Sequence, residues 1–122
     1  MITQIFAGCT YVAGKDFGDN DGQAIVVPGD KEATLTLDYP FDEKLVIKMD
    51  RPGGYTKDAL ITVIRDGFDV MYNGAESTPI PGLINVKVEG EFGEAFHCIE
   101  DLVIEEILYD DEINEVKVSI GS

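Results

Sequence analysis

Positive charge is what this 122-residue chain has least of: nine lysines and arginines stand against 24 aspartates and glutamates, a formal net charge of −15. Proteins that hold DNA or RNA neutralise phosphates with lysine and arginine, and anionic membrane surfaces attract basic segments in the same way. The shortage therefore excludes direct nucleic-acid binding and binding to an anionic membrane surface. Cysteine is also scarce. Cys9 and Cys98 are too few for the disulfide framework of a small secreted scaffold. No apolar run approaches the length of a membrane span. Residues 5–9, "IFAGC", look like the cleavage end of a bacterial lipoprotein signal, yet no positive charge precedes them and their apolar core is too short. The expected compartment is the cytoplasm, with both thiols reduced. Neither an internal repeat nor a low-complexity tract occurs.

What is present is the material of a globular domain. Hydrophobic residues make up 44% and charged residues 27%, ordinary values that argue against a disordered chain. The length suits one domain with a buried core. The acids are unevenly spread. Residues 1–88 hold 13 acids and eight bases, whereas residues 89–122 hold 11 acids and one base, Lys117. Such asymmetry reads either as a solvated face that favours solubility or as a docking surface for a basic partner.

The clearest element is a helix over about 57–72. Leu60, Val63, Ile64, Gly67, Phe68 and Met71 fall on one face of a 3.6-residue period. Thr56 is a suitable N-cap and Asp58 suits the positive end of the helix dipole. Asn73-Gly74 supplies the stop. Gly67 lowers helix propensity, so its place on the apolar face predicts close packing on a sheet. "EATLTLDY" and "EKLVIKMD" alternate as strands joined by the hairpin loop "DYPFDEK". "QAIVVPG" is a short strand, and "TQIFAGCTYVAG" is a strand interrupted at Gly8. After the helix, Pro79 and Pro81 predict an irregular loop, and "LINVKVEG" a short strand. The end reads as a hairpin turning at "DDEINE", with Leu102 and Ile104 on one arm and Val116, Val118 and Ile120 on the other. A helix over 99–108 competes with its first arm. The order β-β-β-β-α-β-β predicts an α+β domain: one helix over a mainly antiparallel sheet of about five to seven strands.

Few residues carry a chemical signature. "DFGDNDGQ", residues 16–23, holds Asp16, Asp19 and Asp21. An EF-hand register on Asp19, Asp21 and Gly22 puts Phe17 first and Pro28 last, so both ends of the calcium cage are missing. A turn is the simpler reading, because Asp, Asn and Gly satisfy turn backbone. A weaker calcium site through the three aspartates is the alternative. His97 and Cys98 are the one pair that looks reactive, but neighbours on a strand point to opposite faces, and Cys98 reads as a small hydrophobe. Cys9, His97 and Cys98 lack recognisable zinc spacing. "DRPGGYT", residues 50–56, opens a helix without a phosphate-loop motif.

"LTLDYPFDEKLVIKMDRPGGYTKDAL", the helix behind it and the "DLVIEEILYDD…VKVSIGS" ending resemble a family of small uncharacterised bacterial proteins, over residues 33–122. In that family a Gly-His-Asp triplet stands shortly before the last hairpin. Here Phe96-His97-Cys98 takes its place, and only the histidine matches. The resemblance implies a bacterial origin and a shared fold and carries no assigned function.

The leading expectation is a protein-binding module of inhibitor, immunity or nucleic-acid-mimic type. Its docking residues would be Glu100, Asp101, Glu105, Glu106, Asp110, Asp111 and Glu112, facing a basic protein. One alternative is a small hydrolase-like enzyme with a carboxylate or His97-centred site; the other is the calcium loop at residues 16–22. No cofactor is expected. An uncovered edge strand would let two copies pair.

Overall fold

A computed structural model describes residues 1–14, 22–79 and 86–121. In chain order it contains β1 (Ile2–Tyr11), β2 (Ile25–Val27), β3 (Ala33–Leu37), β4 (Leu45–Met49), β5 (Tyr55–Thr56), α1 (Lys57–Tyr72), β6 (Glu76–Pro79), β7 (Val86–Gly90) and β8 (Gly93–Ala95). A 3-10 turn at Ile99–Asp101 then leads into β9 (Val103–Asp110) and β10 (Glu115–Gly121). The fold is α+β and mainly antiparallel, with one helix and three sheets among the described residues. The main sheet has five strands in the order β1-β9-β10-β3-β4. Its one parallel pairing sets Val116 of β10 beside Leu35 of β3; the other three are antiparallel.

Alternation explains the sheet. In β3, Ala33, Leu35 and Leu37 are buried while Thr34 and Thr36 are half-exposed. In β9, Ile104, Ile107 and Tyr109 are buried between more exposed Glu105, Glu106, Leu108 and Asp110. The buried face meets α1, which packs against β3 and β4 and also touches β5 and β7. Leu60, Ile64, Phe68 and Met71 of the helix are at most 1% exposed, each worth about 1.5–3 kcal/mol of apolar burial. Ile61 is buried as well and Val63 only partly, so the covered face is turned slightly from the predicted stripe. Thr56 caps the helix: its hydroxyl accepts the Ala59 N–H at 3.0 Å. At Gly67 a Cβ would lie 2.6 Å from Leu37 Cδ1 and 2.7 Å from Ile47 Cδ1. The missing side chain is what lets helix and sheet approach, as the sequence predicts.

Two expectations are corrected. The start of the segment after the helix is not irregular: Glu76–Pro79 forms β6, which pairs with β7, while Pro81 lies outside the described residues. Proline is tolerated because β6 is the outer strand of its three-stranded sheet and Pro79 its last residue. His97 and Cys98 do not lie on a strand; they follow β8 in a bend before the 3-10 turn. The competing helix over 99–108 is confined to that single turn, and β9 takes the rest. Gly8 does not end β1, but the β1–β9 register slips between Ala7 and Thr10.

Candidate functional site

The acidic residues are distributed by the hairpin that carries them. Direct cross-strand pairing sets Glu115 opposite Asp110. Asp111 and Glu112 occupy the turn that joins them, where Asn114 takes a positive φ of 51°. Four carboxylates therefore gather at one end of the hairpin. Like charges directly opposite on a sheet repel. The compensation is slight: the Met1 amino group lies 2.7 Å from Asp111 Oδ1 and 3.3 Å from Glu112 Oε1. These carboxylates raise the amino group above its ordinary range, by hydrogen bonding to Asp111 first. No lysine or arginine among the described residues forms an ion pair with Asp110 or Glu115.

Glu106 sits further along β9 and accepts a hydrogen bond from Gln4 Nε2 at 2.9 Å. Glu105 is the residue left over where the β9–β10 register slips, and its carboxylate lies against Gly121. Glu100 and Asp101 lie in the 3-10 turn at the opposite end of β9. A strand the length of β9 spans roughly 25 Å. The seven predicted docking residues thus form two groups, with Glu105 and Glu106 between them. Glu115 belongs to the hairpin-end group and is absent from the predicted set. Its signal was the hairpin register: a turn over 111–114 fixes residue 115 opposite residue 110. Beside Glu115 lies a shallow groove of about 370 Å³, lined also by Thr36, Asp38, Lys44, Lys117 and Val118.

The His97–Cys98 region is a different environment. The Tyr72 hydroxyl donates to the His97 carbonyl at 2.7 Å, and the Tyr39 and His97 rings lie 6.4 Å apart. Phe41 packs edge-on against Tyr72 at 4.7 Å. The Asp101 carboxylate accepts from the Cys98 backbone N–H at 3.3 Å. Burial, then the charges of Cys98, Asp101, Tyr39 and Glu100, hold the Tyr72 phenol well above its usual range. Burial, then Asp101 and Glu100, also raises the Cys98 thiol. A raised thiol holds less thiolate, the form that attacks, so this setting suits a structural cysteine better than a nucleophile. The residue that sequence reasoning missed here is Tyr72, whose hydroxyl holds the bend from 25 positions away. The three clefts described on this molecule do not include His97 or Cys98 in their linings.

Asp16, Asp19 and Asp21, the candidate calcium ligands, lie outside the described residues. Cys9 is exposed on β1, and no group of three His, Cys, Asp or Glu side chains among the described residues is arranged to hold a metal ion. At the start of α1, the Lys57 and Asp58 N–H groups donate to Ala24 and Gly22 carbonyls at 3.1 and 2.9 Å, and Ala59 N–H donates to Thr56. With those donors taken, the helix start has little left to offer an anion. No described helix is long and apolar enough to cross a membrane. Comparisons with protein-family models, curated proteins and solved structures found no match to the chain.

Proposed function

We propose that the protein is a binding module for a positively charged protein, docking through the end of the β9–β10 hairpin and the sheet face beside it. The observation that carries this reading is the Asp110–Glu115 cross-strand pair with Asp111 and Glu112 at its turn. Four carboxylates at one hairpin end cost the fold stability through mutual repulsion. A local arrangement that works against stability is expected where it serves function. A basic partner relieves the repulsion on docking, steers association through the field of the acids and fixes its orientation. The chemistry of such a partner is that of a protein whose own ligand is a polyanion, the target class of inhibitors, immunity proteins and nucleic-acid mimics. Glu106, and more distantly Glu105, extend the acidic track along β9. Glu100 and Asp101 belong to the far end and are expected to contribute to encounter more than to contact.

The test compares immobilised wild type with Asp110→Asn/Glu115→Gln in capture from a native lysate, at low and high salt. Wild type is expected to retain basic proteins that high salt releases, and the variant to lose them. The same variant is expected to gain about 0.5–1 kcal/mol of folding stability, because the opposed charges are gone. Retention of the same proteins by both forms, or of none by wild type at low salt, would overturn the reading.

A further inference from the structure

The main sheet ends at β4 among the described residues. One edge of β4 therefore presents backbone N–H and C=O groups without a neighbouring strand, a template for pairing with another chain. The edge is also apolar. A groove of about 400 Å³ runs between β4 and α1, lined by Leu45, Ile47, Val63, Gly67 and Val70, with Asp66 at its rim. Val46 is 50% and Val70 54% exposed, high values for valine on an ordered strand and helix. Gly67 deepens the groove by having no side chain.

What fits this edge is written in its own sequence. Residues 43–51 read EKLVIKMDR. Antiparallel pairing with a second copy about an axis at Ile47 sets Leu45 against Met49 and Val46 against Lys48. It also sets Lys44 against Asp50 and Glu43 against Arg51. Both outer pairs are opposite in charge, all four of those residues are exposed, and two-fold symmetry makes each pair twice. The neighbouring registers are penalised. An axis at Val46 sets Lys44 on Lys48 and Asp42 on Asp50; an axis at Lys48 sets that lysine on its own copy. Like charges directly opposite on a sheet repel, so the charges select one register. In that register the Lys48 stem lies along the partner's Val46.

We propose that β4 is a homodimerisation edge: two copies pair β4 to β4 antiparallel about Ile47, joining their five-stranded sheets into one. The two α1 helices then lie side by side under the joint, Val63 and Val70 of each covering the groove of the other. This closes the β4 edge of both copies in a single isologous contact, so that interface is used up in the dimer, and the joined sheet ends at β1 of each copy. The β9–β10 hairpin takes no part, so this inference stands or falls separately from the proposed partner docking.

Sedimentation velocity on the full chain over a concentration series tests it. Wild type is expected to show a monomer–dimer equilibrium. Lys44→Asp or Asp50→Lys alone sets like charges opposite and is expected to weaken association about tenfold. The double variant Lys44→Asp/Asp50→Lys restores opposite signs in the same register, and is expected to return within about threefold of wild type. Val70→Lys, at an exposed helix position, should abolish the dimer while circular dichroism stays unchanged. A wild type that is monomeric at its highest soluble concentration overturns the proposal. So does a dimer indifferent to the single reversals or to Val70→Lys, or a double variant that associates no better than the singles.

Discussion

Tyr72 shows how one side chain ties a reading of local chemistry to folding. Its hydroxyl bonds the His97 carbonyl across 25 residues of sequence, and its phenol is pushed up, first by burial and then by the surrounding acidic groups. A folded-state pKa raised above the ordinary 10.0 means that the native state keeps a proton that the unfolded chain gives up. The stability this contributes is complete below about pH 10 and is lost as pH rises toward the higher folded value. Cys98, raised from 9.0, acts in the same direction from about pH 9 upward. The urea midpoint is therefore expected to fall between about pH 8 and about pH 11, and Tyr72→Phe to flatten that decline. At neutral pH the same variant should lose about 1 kcal/mol for the missing hydrogen bond. A decline in Tyr72→Phe as steep as in wild type would show that this tyrosine does not carry the effect. The sequence flagged the His97–Cys98 pair but not its partners, because a hydrogen bond between residues 72 and 97 leaves no mark in local spacing.

Helix α1 is the element most legible in the sequence. Its bounds, its Thr56 cap and the role of Gly67 follow from period, capping chemistry and propensity, all of which act within a few residues. Gly67 also gives a sharp test of helix on sheet. Alanine there gains about 1 kcal/mol of helix propensity. Its methyl, however, would press on Leu37, which is buried, and on Ile47 at the groove. Overpacking of this kind costs about 1–3 kcal/mol, so Gly67→Ala is expected to lose roughly 1 kcal/mol net in urea denaturation. Stabilisation instead would show that the groove yields. Strand β6 is the counter-example. Pro79 speaks against a strand when the segment is read alone, and only the position of β6 at the edge of a sheet makes proline harmless there. The hairpin at the chain's end was readable because alternation on both arms and a polar turn agree. Its slip at Glu105 was not, since a bulge depends on the partner strand.

For the whole molecule the dominant quantity is a charge of −15. With nine lysines and arginines for 24 acids, most carboxylates have no base to pair with; the ion pairs described are those of Met1 with Asp111 and Glu112, and of Lys87 with Glu89 and Glu94. Compaction therefore works against self-repulsion, which salt screens over distances of about 10 Å at 0.1 M. Raising sodium chloride from about 20 mM to about 500 mM is expected to raise the melting temperature by roughly 3–5 °C, the shift for about 1 kcal/mol of relieved repulsion. A fall would mean that attractive pairs outweigh the excess.

Composition and period by themselves determined the class of this fold, the helix and its cap, the hairpin ends and the excess of negative charge. Each is set by neighbours in the chain or by simple counting. The hairpin turn also fixes Glu115 against Asp110. Tertiary structure alone decided what meets these acids from far along the chain: β1 lies beside β9, which brings the Met1 amino group to Asp111 and Gln4 to Glu106. It decided likewise that β4, rather than a strand shielded on both sides, closes the sheet beside an apolar groove. Strand order joins residues far apart in sequence, and local propensity carries almost no information about such pairings.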